Sequence, residues 1–199
     1  MSRLLLVDDE PLVLKALRRV LSLAPIVSNG VSHRPEIDLF TEPEAALAKA
    51  RHTAYDVVIS DYRMPAMDGV ELLTQFRSIQ PNTVRIILSG HADLNGLIGA
   101  INQAGIDRFI AKPWNDSDLV STVAEALTQR ELRMENERLA DQARLAQGSL
   151  SAEEAERRRL EAIEPGITRV NWGPDGSVLL DESLLDPPSV RTTNDRQLP

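Results

Sequence analysis

Several polar residues in this chain stand where short apolar runs end. Asp8 and Asp9 follow the run at 4–7, Asp61 follows 57–60, Ser89 follows 84–88, and Lys112 follows 108–111. Three carboxylates brought to one rim repel one another, and one stays protonated unless a cation compensates. Oxygen donors with room for water and phosphate suit Mg2+ better than a softer metal. With a metal and an ammonium neutralising such a pocket, one carboxylate becomes a nucleophile toward a phosphoryl group. In-line transfer then depends on positioning and on stabilising charge at the equatorial oxygens. Lys112 offers a mobile point charge and Ser89 a hydroxyl donor. Each residue alone has a plainer explanation. An acidic pair after an apolar run is usually a solvated helix entrance, an Asp ending a strand is often a turn former, and Lys before Pro is usually on the surface. Only their order, each at a strand end, turns them into a candidate site.

The positioning elements follow from periodicity. Short apolar runs alternate with amphipathic stretches over residues 1–128, the pattern of βα units around a parallel sheet. Strands are predicted at 4–7, 37–40, 57–60, 84–88 and 108–111. Val13, Ala16, Leu17 and Val20 mark a first helix over 11–22. Thr41-Glu42-Pro43-Glu44 reads as a capping box opening a second helix to about Arg51. Val70, Leu73 and Phe76 mark a third helix, stopping before Pro81. Leu94, Leu97, Ile98 and Ile101 mark a fourth, closed near Gly105, and a fifth starts near Asn115 or Asp116. The expectation is an α/β, flavodoxin-like, doubly wound five-stranded parallel sheet of order 2-1-3-4-5. Its site would lie at the carboxyl ends of the first and third strands.

LLLVDDE, VVISDYRMPAMDG, IILSG and FIAKPW, in this order, make residues ~3 to ~128 resemble the receiver domain of two-component response regulators, the CheY-like superfamily. The resemblance implies that Asp61 is the phosphoacceptor. It makes Asp8 and Asp9 the acidic pair that holds Mg2+ with Asp61 and the backbone carbonyl of Arg63, Asp9 being the more direct ligand. Ser89 takes the hydroxyl switch role, Phe109 the aromatic switch role, and Lys112 pairs with the phosphate. Pro113 is compatible with the cis lysyl-prolyl bond of such receivers. Gly69 allows close backbone passage near the third helix. The donor would be a histidine kinase or phosphotransfer protein. Phosphorylation would shift a pre-existing equilibrium of the face formed by the fourth helix, fifth strand and fifth helix. The chain departs from the family between the first helix and second strand, where SLAPIVSNGVSHRP makes a longer connection than usual and leaves the second strand's start open.

Beyond residue 128 the helical pattern continues without Gly or Pro until Gly148. Leu132, Asn136, Leu139, Ala143, Ala146 and Leu150 are spaced 4-3-4-3-4, a short coiled-coil seam with Asn136 at an a position. Under three heptads long, it is marginal alone. Ser151-Ala152-Glu153-Glu154 opens a further charged helix to about Ile163. The expected division is a receiver at 1–128, a helical or coiled-coil extension at 129–164, a hairpin at 165–181 around Gly173-Pro174-Asp175-Gly176, and a disordered tail at 182–199. A homodimer through the coil, or docking on an unknown effector protein, is the natural readout.

The bounds of composition agree. A net charge of −8 argues against direct nucleic-acid binding. No apolar segment is long enough to span a membrane and the N-terminus lacks a signal peptide, so a cytoplasmic protein without membrane insertion is expected. No cysteine is present, excluding disulfides and thiolate metal sites. No HD-GYP, GGDEF or helix-turn-helix pattern is evident. The chain is therefore expected not to be an enzyme beyond its own aspartyl phosphorylation and dephosphorylation. The alternative is a stoichiometric adaptor or phosphate sink acting on a separate effector. A Mg2+-dependent phosphatase with an Asp nucleophile wants Asp-x-Asp after the first strand, and Asp8-Asp9-Glu10 lacks the second Asp. An inert pseudo-receiver is at odds with every key position being filled.

Overall fold

Hydrophobicity on both faces dictates the central strands. β1 (Arg3–Val7) and β5 (Val57–Asp61) are apolar almost throughout and buried, as strands sandwiched between two helix layers must be. The computed structural model describes residues 2–28, 30–90 and 104–168, and all of them belong to one unit. Further elements are α1 (Pro11–Leu23), β2 (Ile26–Ser28), β3 (Val31–His33), β4 (Glu36–Phe40), α2 (Pro43–Ala50), α3 (Gly69–Ile79), β6 (Val84–Gly90), β7 (Arg108–Lys112), α4 (Asp116–Ala146) and α5 (Ala152–Ile163). The main sheet is parallel, in the order β4-β1-β5-β6-β7. In terms of the five predicted strands this is 2-1-3-4-5, as expected. The predicted fourth helix lies outside the described residues, apart from its close at Ala104 and Gly105.

Alternation along each strand splits the core in two. Leu4, Leu6, Val57, Ile59, Ile86 and Leu88 face α1 and the first turns of α4. Leu5, Val7, Val58 and Ile87 face α2 and α3, where Phe76 and Tyr55 fill the layer. Each buried Leu or Ile adds roughly 1.5–3 kcal/mol of transfer free energy, and the sum fixes which strand ends share a rim.

Two local expectations are corrected. The connection after α1 is not a loop: β2 and β3 form an antiparallel hairpin of their own, with Gly30 at φ +76° in the turn and Ile26 fully buried. After it, the second strand of the main sheet runs Glu36–Phe40, matching the predicted 37–40 within one residue. α2 is not opened by a Thr41 capping box; its N-cap is Glu42, without a side-chain cap, and Pro43 sets its first turn.

α4 runs 31 residues without a break, about 46 Å. Asn115 caps it, accepting from the backbone N–H of Ser117 at 2.9 Å. Leu119, Val123, Ala126 and Leu127 anchor its first turns in the core. Gly148, at φ +68°, ends it in a left-handed cap, with the Ser149 N–H reaching back to the Arg144 carbonyl at 2.9 Å. The Ser151–Glu154 capping box then opens α5, which returns along α4 and buries Leu150. Leu150 is thus taken up inside the protomer and is not part of any open seam. Of the expected hairpin at 165–181, residues 165–168 are described, in a turn; the rest of it and the tail lie outside the described residues.

Candidate functional site

Parallel strands that share a register end together, so the residues after β1, β5 and β7 meet at one rim. Asp8 follows β1 and is fully buried. Its Oδ1 accepts the Glu10 backbone N–H at 2.9 Å and its Oδ2 accepts Lys112 Nζ at 2.8 Å. Asp61 ends β5 and is 7% exposed. Its Oδ2 accepts the Arg63 N–H at 2.9 Å, and its Oδ1 lies 2.5 Å from Lys112 Nζ. One ammonium therefore bridges two carboxylates carried by different strands.

The electrostatics follow from burial. Desolvation pushes the Asp8 carboxyl above its ordinary value, against the pull of Lys112 and the Glu10 N–H. Burial pulls Lys112 down, but its hydrogen bonds to Asp61 and Asp8 outweigh that and hold the ammonium above the usual lysine value. Lys112 is thus charged throughout the physiological range.

Ser89 is buried on β6, its hydroxyl donating to the Gly90 carbonyl at 3.3 Å. It stands one residue past Leu88, the register partner of Asp61, and opposite Ala111. Phe109 is 43% exposed on β7, its ring outward. Asp9 is half-buried and Arg63 exposed. The Lys112–Pro113 peptide is cis. Gly69 packs so closely against the end of β5 that a Cβ there would collide with the Asp61 carbonyl oxygen. Its own N–H donates to the Tyr62 carbonyl at 2.9 Å. The structure thus gathers Asp8, Asp61 and Lys112, places Ser89 one strand over, and leaves Phe109 facing out. The Glu10 N–H, which orients Asp8, is a backbone group that residue identities do not announce.

Among the described residues no three His, Cys, Asp or Glu side chains converge tightly enough to hold a metal by themselves. The donors at the rim are nonetheless all oxygens, and the buried Asp8 carboxylate calls for positive charge. That chemistry fits a hard divalent cation whose shell is completed by backbone carbonyl and water.

Residues 4–124 match the family model for the response regulator receiver domain. The chain belongs to the response regulator receiver family. The receiver is 34% identical over 140 residues to the hydrogenase transcriptional regulatory protein HoxA of Cupriavidus necator, covering 69% of this chain and 27% of that protein. It is 32% identical over 182 residues to the HoxA of Bradyrhizobium diazoefficiens, covering 92% of this chain and 34% of that protein. The chain thus spans about a third or less of the length of these relatives. The signal receiver domain of an HD domain-containing protein from Pseudomonas fluorescens Pf-5 superposes with a TM-score of 0.60 at 30% identity, covering 67% of this chain and 92% of that one. No helix among the described residues of this receiver protein is long and apolar enough to cross a membrane.

Proposed function

We propose that this chain is a phospho-accepting response regulator, with Asp61 as the acceptor. The observation that carries the reading is the Lys112 ammonium held between Asp8 and Asp61 at 2.8 and 2.5 Å. A histidine kinase or phosphotransfer protein supplies the phosphoryl group. An Asp61 carboxylate oxygen attacks phosphorus, the phosphorus–nitrogen bond of the donor's phosphohistidine breaks, and the imidazole leaves with a proton, giving an acyl phosphate.

Asp8, Asp9, Asp61 and the Arg63 carbonyl are the residues that would hold Mg2+. When bound, the metal supplies charge neutralisation at the phosphoryl oxygens. Lys112 pairs with the phosphoryl group from the opposite side. The Ser89 hydroxyl donates to it, and Phe109 turns inward from its exposed position. Moving such an equilibrium from mostly off to mostly on takes about 5 kcal/mol of differential stabilisation. Residues 1–128 act as the switch and 129–164 as the extension that carries its state to an effector protein. Acting as a stoichiometric adaptor or phosphate sink uses the same site and differs only in the readout.

The test treats wild type and Asp61→Asn with acetyl phosphate and Mg2+ and weighs the intact protein. Wild type gains the mass of one phosphoryl group, labile to base, and Asp61→Asn gains none. A phosphoryl adduct on Asp61→Asn would remove Asp61 as the acceptor. Repeating the reaction with excess chelator tests the metal, and an unchanged rate would overturn its role.

A further inference from the structure

Val57, Val58 and Ile59 make β5 apolar and fully buried, and Ser60, the residue before Asp61, is fully buried with them. A hydroxyl withdrawn from water costs free energy unless it is bonded, so a serine in such a strand asks for a partner. The partner is the main chain of the next residue: Ser60 Oγ donates to the Asp61 carbonyl at 2.9 Å. The bond falls where one side of the sheet stops. The β1–β5 ladder ends with Val7 opposite Ser60, whereas the β5–β6 ladder runs on to Asp61 opposite Leu88. On the β6 side the Tyr62 N–H donates to the Leu88 carbonyl at 2.8 Å. The peptide joining Asp61 to Tyr62 is therefore held at both polar atoms, its oxygen by Ser60 and its N–H by β6. Gly69 closes over the same oxygen, where a Cβ would collide with it.

We infer that Ser60 is a positioning residue for Asp61: its hydroxyl fixes the plane of the Asp61–Tyr62 peptide and with it the aim of the reacting carboxylate. The inference rests on Asp61 being the phosphoacceptor. Ser60 shares the α2/α3 face of β5 with Val58 and acts through the main chain. The plane matters because the next residues hang from it. The Arg63 N–H donates to Asp61 Oδ2 at 2.9 Å, which sets the rotation of the carboxylate and leaves Oδ1 toward Lys112. Without the hydroxyl, the Asp61 carbonyl loses this donor in a place nearly closed to water, and the peptide turns to find another. That turn moves the Arg63 N–H away from Oδ2 and lets the carboxylate swing. In-line attack is sensitive to such a shift, since a displacement of about 1 Å can cost on the order of a hundredfold in rate.

The test compares Ser60→Ala, Ser60→Thr and Ser60→Cys with wild type and with Val58→Ala. Val58 is fully buried, so Val58→Ala costs stability without touching the held peptide. Two readouts are taken where every variant is folded: phosphoryl gain from acetyl phosphate with Mg2+, followed by intact mass, and amide exchange at Tyr62 and Arg63. Ser60→Ala is expected to slow phosphorylation on the order of tenfold and to quicken exchange at Tyr62 and Arg63, while 57–59 stay protected. Ser60→Thr keeps the hydroxyl and stays near wild type in both readouts. Ser60→Cys, close to serine in size but a weak donor, falls between alanine and wild type. Val58→Ala lowers the urea midpoint and keeps the wild-type rate. Ser60→Ala as fast as wild type overturns the inference. So does Ser60→Thr as slow as Ser60→Ala, because the effect then follows volume and not the donor. Val58→Ala slowed as much as Ser60→Ala overturns it too, since lost stability alone would account for both. A wild type that gains no phosphoryl group shows instead that the acceptor reading has failed, and the inference falls with it.

Discussion

Arg130 donates to Asp56 at 2.7 Å, at the end of β5 opposite Asp61. Asp56 also accepts the Arg3 N–H at 2.6 Å. One turn along α4, Arg133 donates to Asp107 at 3.0 Å, just before β7, the strand that ends in Lys112. The two strands that carry the closest pair at the rim are therefore gripped at their other ends by successive turns of one helix. Both ion pairs are largely shielded from water, so each counts for more than an exposed pair. Arg130→Ala removes one grip and leaves Asp56 with a single partner. It is expected to cost about 1–3 kcal/mol, seen as a lower urea midpoint at unchanged slope. Amide exchange should quicken over 130–146 and stay slow over 119–127, where Leu119, Val123 and Leu127 hold the helix in the core. Uniform quickening along all of α4 would show that the grip and the core act as one unit.

Asp8 is expected to trade stability for function. Burial raises its carboxyl pKa, so the folded state binds that proton more tightly than the unfolded chain does. The ionised form therefore costs stability at neutral pH, and the cost fades as pH falls through the raised value toward the ordinary 3.8. Asp8→Asn keeps the shape without the charge and leaves Lys112 paired with Asp61. It is expected to raise the melting temperature by about 2–4 °C, roughly 1 kcal/mol, while abolishing phosphorylation by acetyl phosphate. A lower melting temperature would mean that the Lys112 pair outweighs the desolvation.

The sheet order was legible because buried parallel strands are written as nearly continuous apolar runs: 4–7 and 57–59 have that form, and 84–88 is broken only by Arg85. The rim followed, since the polar residues closing those runs share one end of the sheet. The β2–β3 hairpin was harder. Ser28-Asn29-Gly30-Val31 carries an Asn-Gly turn signal between apolar neighbours, but strands of three residues are too short to display alternation. α4 was legible as one helix from the absence of Gly and Pro before Gly148. The return of α5 was not, because α5 buries no residue fully and is held by Arg158–Asp141 at 3.1 Å and by Leu150 in the connection. Thr41 looked like a cap because its sequence allows one. Pro43, which favours the first turn, moves the helix start to Glu42 instead.

Tyr55 makes a pH-dependent contribution far from the rim. Its hydroxyl donates to Asp38 Oδ2 at 2.6 Å from a side chain that is 1% exposed. Burial, then the Asp38 carboxylate, push its pKa well above the ordinary 10.0. The folded state keeps this proton after the unfolded chain has lost it, so the contribution is complete below pH 10 and is lost as pH climbs toward the raised value. Tyr55→Phe should cost about 2 kcal/mol at pH 7, the worth of a hydrogen bond to a charged acceptor. Urea titrations from pH 7 to 11 should show the gap between wild type and Tyr55→Phe narrowing above pH 10. A gap that stays constant would place the loss in packing against Phe76 and not in the hydrogen bond.

Gly69 and Gly148 separate two reasons for a glycine. At Gly148 φ is +68° and a Cβ would meet open space, so Gly148→Ala carries backbone strain alone, about 1 kcal/mol. At Gly69 a Cβ would run into the Asp61 carbonyl oxygen, with Ser60 Oγ at 3.1 Å behind it. Relief requires α3 to back away from the end of β5. That movement breaks the Gly69 N–H bond to Tyr62 and shifts the backbone that aims the Asp61 carboxylate. Gly69→Ala is therefore expected to cost about 2–4 kcal/mol and to slow phosphorylation by acetyl phosphate, whereas Gly148→Ala leaves the rate unchanged. Both are read by urea denaturation and by intact mass over time under conditions where each variant is folded. If Gly69→Ala lost stability but kept the wild-type rate, the close approach at Asp61 would serve packing and not the aim of its carboxylate.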